Sequence, residues 1–437
     1  MKRAVCVALM GLFVAVSRSV AAPPHSLTLA QCVRIALDRS PDVAAARALV
    51  AAAAEGVKIS HAGYLPQVSA GMSYTRQSYN YAASPGTTPE QWRLFYHGES
   101  LATSPYYYGG LNLSQTLLDF GRTKGAVETS QAQLQAAKHN LIFVRDQVDF
   151  NVQTAYFTTM AARETVGVQR AGLDNAQKHL GQSLAFHSNG TVPGINVTSS
   201  QLAVANAKLG VAQARENLKV SGAQLATYMG IPVDQAPETA SSLENAAPQP
   251  SFNQLLQEAD ENRADLLAQL DQIKAAMGNE LTAKGATRPY ISLDAFFDFR
   301  NLTWPLIYNW SLGQLLAQSI FSGGANTARL RQTQAQEIAA RESVDSLRLQ
   351  VQQQVFAVLS SLKVTHEQVI TAQEADQFAR ANLALAEGRY KVGVGNIVEL
   401  DDAQTEATNA ALQLVATRYS YQLARVKLDF VLGRGPK

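Results

Sequence analysis

The chain has 437 residues, and its 37 basic and 35 acidic side chains leave a net charge of only +2 without basic runs, which argues against a nucleic-acid-binding protein. Two cysteines, Cys6 and Cys32, exclude a disulfide scaffold and a cysteine-based zinc site. Charged residues make up 16 % of the chain, well below the roughly 25 % of soluble domains. No proline lies between residues 105 and 193 or between residues 305 and 436, and these two segments favour long helices.

The N-terminus has the pattern of an export signal. Two basic residues precede an apolar segment from Ala4 to Val16, and small residues follow. This order predicts a secretory signal peptide over residues 1–22, cleaved after Ala21 or Ala22. A membrane-anchoring helix is the alternative, but the segment is shorter than the ~20 residues that a span requires. Because no later apolar stretch reaches 18 residues, we expect any membrane crossing to use β-strands.

The remainder of the chain aligns with itself as an internal tandem repeat. From about Gly110 onward the two copies match without a gap, so that Gly230 corresponds to Gly433, and a second register upstream pairs Thr28 with Ser251. The alignment predicts a first repeat over residues 23–230, a proline-rich linker over residues 231–250 and a second repeat over residues 251–437.

Each repeat opens with a helical pattern. A capping box, Thr28-x-x-Gln31 or Ser251-x-x-Gln254, marks the start of the helix. The helical pattern reaches about residue 61 in the first repeat and about residue 284 in the second. Only the first repeat carries a visible interruption, at Ser40-Pro41.

Two strands are predicted after the helices of each repeat. Alternation of apolar and polar residues places them at about residues 66–75, 107–118, 289–299 and 310–321. In the third strand Ile291, Leu293, Phe297 and Phe299 share one side, which we expect to face lipid. Alternation over ~10 residues fits a membrane-spanning barrel strand.

Aromatic residues also concentrate in the strand segments. The three tryptophans, Trp92, Trp304 and Trp310, lie in or between the strands, as expected for a belt at the membrane–water interface. A soluble β-core is the alternative, but the attached coiled coils offer no layer to cover it.

Long helices follow the strands in both repeats. Apolar residues recur with a spacing of three and four, and this predicts helices over about residues 122–187, 196–229, 325–390 and 398–432. A sustained seven-residue step indicates helices packed side by side with a left-handed twist. The first of them would span roughly 100 Å at 1.5 Å per residue.

Four strands per chain require more than one chain. An open four-stranded sheet cannot lie in lipid with unpaired edges, and closure needs at least ~8 strands. The predicted fold is therefore an α+β membrane protein whose β-barrel is completed by other copies, either as a dimer of eight strands or as a trimer of twelve.

Several motifs resemble those of the TolC family of outer-membrane efflux and secretion channels. They are Leu27-Thr28-Leu29-Ala30, Leu118-Asp119-Phe120-Gly121-Arg122, Ile320-Phe321-Ser322-Gly323-Gly324 and Arg389-Tyr390-Lys391-Val392-Gly393. The resemblance covers essentially the whole mature sequence. It implies a homotrimer with a 12-stranded barrel in the bacterial outer membrane, continued by a long antiparallel α-helical coiled-coil barrel in the periplasm. It also implies contact with outer-membrane lipid, a periplasmic adaptor and an inner-membrane pump of the RND, ABC or MFS type.

The resemblance assigns the two helix–helix turns to the periplasmic tip that meets the adaptor. The tip residues are Gly190, Thr191, Val192, Gly194, Gly393, Val394 and Gly395. Glycine-rich turns between antiparallel helices are also expected on structural grounds alone. Docking would also explain Val192 and Val394 beside the glycines, and we expect both valines to be exposed.

The resemblance further assigns a pore constriction and gate to Glu399, Asp402, Tyr390 and Asn196. Two acids three residues apart share a helix face and would form rings that favour cations. An ordinary helix N-terminus, where acids are favoured, is the alternative. The chain departs here from the family's best-studied member, which has a gating arginine in the place of Gly395 and an aspartate in the place of Asn196. We therefore expect fewer charged links to hold the gate closed.

No motif indicates an enzyme, a cofactor or a metal site, since Asp119-Phe120-Gly121 lacks the other kinase motifs. The sequence predicts the outer-membrane channel of a tripartite export system, a passive conduit for drugs and other small toxic compounds. The alternatives are the outer component of a type I protein secretion system and, in a different class, a peripheral coiled-coil scaffold. The sequence names neither the cargo nor the cognate pump.

Overall fold

The computed structural model describes residues 27–77, 103–239 and 251–435. The predicted signal peptide, Trp92 and the later part of the predicted linker lie outside these residues. In the described part the chain is mostly helical and has one four-stranded sheet.

The elements follow the same order in each half of the chain. The first half contains α1 (Leu29–Arg39), α2 (Pro41–His61), β1 (Gln67–Gln77), β2 (Ser104–Leu118), α3 (Arg122–Ser188) and α4 (Gly194–Tyr228). The second contains α5 (Phe252–Asn262), α6 (Ala264–Ala286), β3 (Tyr290–Asn301), β4 (Ile307–Ala317), α7 (Ala325–Lys391) and α8 (Ile397–Val431). Short 3₁₀ turns cover Ala62–Tyr64 and Val233–Gln235. Among the described helices, none has an apolar stretch that could cross a membrane.

The last strand differs from its predicted bounds of 310–321. It begins at Ile307, which pairs with Arg300, and it ends at Ala317. Ile320 and Phe321 extended the apparent alternation but lie beyond the strand, 97 % and 87 % exposed. The chain has to leave the sheet here to enter α7, and two glycines with left-handed backbone follow directly. The prediction of a strand to residue 321 was therefore wrong.

The structure has a helix break in the second half of the chain that the sequence pattern did not predict. α1 ends at Arg39 and is followed by Ser40, whose extended backbone precedes Pro41. α5 ends at Asn262 and is followed in the same way by Arg263, which has extended backbone but no proline after it. Arg263 is only 6 % exposed, and its guanidinium donates to Asp265 at 2.6 and 3.0 Å and to the backbone carbonyl of Val431 at 3.3 Å. A buried guanidinium needs several acceptors, so the break in α5–α6 depends on a network that no local pattern reveals.

The described chain packs as two compact units. The first unit holds residues 27–40, 148–239 and 362–426, and the second holds residues 41–77, 103–147, 251–361 and 427–435. In the first unit Leu27 forms a bridge with Thr239, and Cys32 is fully buried as a free thiol. Burial raises the pKa of Cys32 to about 11, which leaves the thiol protonated and inert at neutral pH.

The sheet lies in the second unit, in the order β1-β2-β3-β4, so β1 and β4 are its edges. The strands are antiparallel, and Ala70 opposes Leu111, Leu111 opposes Phe297 and Phe297 opposes Trp310. Residues directly opposite in such a pair share a face of the sheet. The register therefore aligns the apolar positions of all four strands on one side.

We call this side the apolar sheet face. The polar residues Arg76, Gln115, Asn301 and Gln314 also fall on it by register. Its apolar members are Val68, Ala70, Met72 and Tyr74 of β1, Tyr107, Gly109, Leu111 and Leu113 of β2, Ile291, Leu293, Ala295, Phe297 and Phe299 of β3, and Tyr308, Trp310, Leu312 and Leu316 of β4. The opposite face carries Ser73, Asn112, Asp294, Asp298 and Asn309, and it also includes the apolar residues Phe296, Ile307 and Leu315.

Candidate functional site

The turn between α3 and α4 is closed by backbone hydrogen bonds. Gly190 has φ +72°, and the N–H of Thr191 donates to the carbonyl of Phe186 at 2.9 Å. Nδ1 of His187 lies 2.9 Å from the carbonyl oxygen of Val192. Gly190 and Thr191 are exposed, but Val192 is half-buried, so the expectation that this valine is exposed was wrong. The reason is that the turn folds back on α3 and includes Val192 in its packing.

The turn between α7 and α8 has a similar design. Gly393 has φ +80°, and the N–H groups of Val394 and Gly395 both donate to the carbonyl of Arg389 at 3.0 Å. A Cβ atom at Gly395 would lie 2.9 Å from the backbone nitrogen of Tyr390. The turn therefore has no room for a larger residue at position 395 without a backbone shift. Val394 is 68 % exposed beside this glycine.

Tyr390 is buried where four helices of the first unit meet. It is 3 % exposed, and its hydroxyl lies 3.1 Å from Oγ of Ser183, which in turn lies 2.9 Å from Oγ of Ser200. Phe186 contacts the ring edge-on at a centroid distance of 5.8 Å. Tyr390 belongs to an apolar cluster together with Ala386, Ile397, Leu400 and Ala403. The structure thus places Tyr390 inside the packing of α3, α4, α7 and α8, with its hydroxyl directed to Ser183.

The two predicted acids lie on the exposed side of α8. Glu399 and Asp402 are both exposed, and Oε1 of Glu399 lies 3.0 Å from Nε of Arg389 on α7. The sequence indicated Arg389 only as part of a family motif and not as the partner of Glu399. Asn196 is half-buried in the first turn of α4, and its backbone N–H donates to the carbonyl of Pro193.

The structure also has a polar cluster beside these acids that the sequence pattern did not predict. His179 of α3 is 6 % exposed, and its Nε2 lies 3.5 Å from Oε1 of Glu387 on α7. Burial raises the pKa of Asp401 on α8, the charge of His179 opposes this rise, and the charge of Asp402 adds to it. Histidine on one helix and acids on two others meet only after folding, so no spacing in the sequence could have indicated this cluster.

A cleft of about 590 Å³ opens next to the cluster, between α3, α4 and α8. Its polar lining includes His179, Ser200, Asn206, Asp401, Gln404 and Thr408. In the part of the chain that the structure describes, no group of three or more histidine, cysteine or acidic side chains could hold a metal ion.

The predicted lipid-facing residues lie together on the second unit. Ile291, Leu293, Phe297 and Phe299 all belong to the apolar sheet face, where Phe297 and Phe299 are 43 % and 42 % exposed and stack edge-to-face at 5.2 Å. Asp298 between them is buried on the opposite face, with Oδ1 3.2 Å from Nε of Arg300.

Comparison with known proteins gives consistent results. The family described as outer membrane efflux protein matches residues 32–231 and 255–434. Over 411 residues the chain is 24 % identical to the pyoverdine export outer membrane protein OpmQ of Pseudomonas putida, covering 93 % of this chain and 86 % of that protein. It is 25 % identical over 403 residues to the outer membrane protein TolC of Escherichia coli, covering 87 % and 77 % respectively.

The fold also matches a solved structure, that of the outer-membrane channel OprN. The two chains superpose with a TM-score of 0.81 at 21 % identity, over 93 % of this chain and 90 % of the other. At this level of identity the similarity establishes the fold.

Proposed function

The chain belongs to the family of outer membrane efflux proteins, and from this premise we propose that it is the outer-membrane channel of a tripartite export system. It lies in the bacterial outer membrane and extends into the periplasm. There it receives small molecules from an inner-membrane pump through a periplasmic adaptor, and it conducts them passively to the exterior.

One observation carries this proposal: the four described strands present a predominantly apolar sheet face, and β1 and β4 are the edges of their sheet. Buried or lipid-exposed backbone N–H and C=O groups need partners, so an open edge strand is unstable in a membrane. β1 of one copy can pair with β4 of the next, which removes both edges. The apolar sheet face then contacts lipid, and the polar face lines a water-filled lumen.

We propose a homotrimer, in which twelve strands close the barrel and the long helices α3, α4, α7 and α8 of three copies form a helical barrel. The family resemblance favours this assembly over the eight-stranded dimer. The wider barrel also leaves room for water, and uncharged polar side chains such as Ser73 and Asn112 suit its lumen.

The tandem repeat is part of the same proposal. It is supported by features that recur at equivalent positions, such as the helix breaks at Ser40 and Arg263. The C-terminal glycines of α4 and α8 recur too: Gly230 packs against Arg39, and Gly433 packs against Asn262. Two copies of one unit supply four strands and four long helices.

The two turns are proposed as the tip that meets the adaptor, with Gly190, Thr191, Gly393 and Val394 on the exposed surface. Three-fold symmetry would arrange Glu399 and Asp402 as two acidic rings at the constriction. Position 395 has no room for a side chain, so no charged residue there can hold the gate closed. The proposed closed state therefore depends on the packing of Tyr390 and on the Arg389–Glu399 pair.

Fractionation and conductance test the proposal. We expect the protein in outer-membrane detergent extracts, as an SDS-resistant oligomer with the mass of three chains, and we expect the purified oligomer to conduct ions in planar bilayers. Release from membranes by carbonate would support the peripheral scaffold instead, and a two-chain mass would support the dimer. A type I secretion role predicts co-purification with an ABC pump and a secreted protein rather than with a drug pump.

A further inference from the structure

A cleft of about 580 Å³ opens on the apolar sheet face, in the second unit. It lies between β1, β2, β3 and the turn that joins β3 to β4. The side chains that line it are apolar and include Met72, Leu111, Phe297, Phe299, Trp304 and Leu306. Its volume is in the range of ordinary ligand sites, which are roughly 300–1,000 Å³ and mostly apolar.

The cleft exists because Gly109 has no side chain. Gly109 opposes Met72 on β1 and Phe299 on β3, so a gap interrupts this row of the apolar sheet face. A Cβ atom at Gly109 would contact only Cγ of Met72, at 3.5 Å, whereas a Cβ atom at Gly110 would come within 2.8 Å of Asp298. Position 109 therefore has space for a side chain that it does not carry.

Aromatic rings border one end of the cleft. Tyr107 packs against Tyr74 at 5.1 Å and against Trp304 at 6.3 Å between ring centroids. Trp304 is 73 % exposed. Tyrosine and tryptophan concentrate where a membrane protein passes from acyl chains to headgroups. This end of the cleft thus has the character of the membrane–water interface.

A single cation stands just beyond the aromatic border. Arg76 is exposed, and among the paired strand positions that the structure describes it is the only charged residue on the apolar sheet face. It lies four residues after Met72, about 13 Å along an antiparallel strand. Arg300 is on the other face and pairs with Asp298. Nε of Arg76 donates to Oγ1 of Thr103 at 2.6 Å, and the terminal N–H groups of the planar guanidinium match phosphate oxygens well.

We propose that this cleft binds one acyl chain of an anionic lipid, whose phosphate lies against Arg76. The inference rests on the outer-membrane location proposed above. A second copy of the chain would pair at the edge strands β1 and β4, while the cleft centres on Gly109 of the interior strand β2. Cargo would pass along the polar face. The face that carries the cleft is the one that contacts lipid, and lipid is therefore its occupant.

Quenching of Trp304 by brominated lipid tests the proposal. In a Trp92→Phe, Trp310→Phe background, Trp304 reports on lipid near the cleft. The full-length oligomer is placed in phosphatidylcholine nanodiscs with increasing amounts of brominated phosphatidylglycerol. We expect saturable quenching at a low fraction of the brominated lipid.

Gly109→Leu fills the cleft, and Ala295→Leu places the same side chain elsewhere on the apolar sheet face as a matched control. We expect Gly109→Leu to weaken the apparent affinity about threefold, because the displaced acyl chain stays in the bilayer and loses only its packing contacts with the cleft. Ala295→Leu should leave the affinity unchanged. If Gly109→Leu fails to assemble, Gly109→Ala replaces it, with a smaller loss in the same direction.

Arg76→Gln tests the headgroup separately. We expect it to remove the preference for phosphatidylglycerol over phosphatidylcholine without abolishing binding. Equal quenching curves for the parent, Gly109→Leu and Ala295→Leu would overturn the cleft, and an unchanged lipid preference in Arg76→Gln would overturn the phosphate contact. Failure of the parent to conduct ions as an SDS-resistant oligomer would instead count against the proposed function.

Discussion

Nε of Arg389 lies 3.0 Å from Oε1 of Glu399, so a cation at the end of α7 faces an acid at the start of α8 across the turn between them. Both side chains are about half exposed, at 55 % and 45 %. An ion pair of this kind contributes only about 0–1 kcal/mol to stability. Its importance is electrostatic, because it partly neutralises one of the two acidic rings proposed at the constriction.

Removal of the arginine should increase cation selectivity. Arg389→Gln takes three positive charges from the proposed trimer and exposes the Glu399 ring. We expect the potassium-to-chloride permeability ratio in planar bilayers to rise about twofold. Arg380→Gln is the matched control, since Arg380 lies on the same helix and pairs with Asp376 at 2.7 Å. An identical ratio in the Arg389 variant and the parent would place this pair outside the ion path.

Removal of the acids should have the opposite effect. Glu399→Gln together with Asp402→Asn deletes both proposed rings, so we expect weaker cation selectivity in the same bilayer measurement. Asp174→Asn removes an exposed, ion-paired acid from α3 and is the control. If selectivity stays unchanged in the double variant, the two acids are an ordinary helix N-terminus.

Gly433 is expected to be required for stability by close packing as well as by backbone conformation. It has φ +70°, and a Cβ atom there would lie 2.8 Å from the carbonyl oxygen of Asn262. Gly323 has φ +63° but open space around it. The left-handed backbone alone costs an alanine about 1–2 kcal/mol.

We therefore expect Gly433→Ala to lower the unfolding midpoint of the purified protein more than Gly323→Ala does, because only the former also displaces backbone. Thermal unfolding followed by circular dichroism measures both. Equal losses in the two variants would show that the contact with Asn262 adds nothing.

Acid sensitivity should depend on the pair Glu258 and Arg434. The guanidinium of Arg434 donates to both carboxylate oxygens, at 2.6 and 2.9 Å, and this hydrogen bonding lowers the pKa of Glu258 below its ordinary value of 4.5. A carboxyl whose pKa is lowered on folding stabilises the protein above the unfolded pKa, and the contribution is lost as the pH falls through the folded value.

Arg434→Gln should therefore be less stable than the parent at pH 7, and the difference should shrink as the pH falls below about 4.5. Urea unfolding across this range measures it. Lys58→Gln, which removes a cation from the exposed Glu55–Lys58 pair, is the control. A difference that stays constant with pH would contradict the assignment of the effect to Glu258.

Periodicity was the strongest signal in the sequence because it follows from local geometry. The alternation around Phe297 and the heptads of the long helices indicated the element types correctly. The end of β4 was misplaced because Ile320 and Phe321 continue the alternation while the chain already turns toward α7. A pattern of period two records which residues could lie in a strand but not where hydrogen-bonded pairing stops.

Side-chain partners were beyond prediction for a different reason. The break at Arg263 is stabilised by Asp265, Gln354 and the carbonyl of Val431, two of which are remote in sequence. The contact of His179 with Glu387 likewise joins helices far apart in the chain. Contacts of this kind have no period, so only the packed structure reveals them.

The sequence by itself determined the helices, the strands, the family resemblance and the two turns, because each depends on residues close together in the chain. Only the tertiary structure decided that Tyr390 is buried against Ser183, that Glu399 pairs with Arg389, and that Gly109 leaves a cleft between Met72 and Phe299. These features depend on the register between strands and the contacts between helices. Long-range packing sets both, and local composition does not.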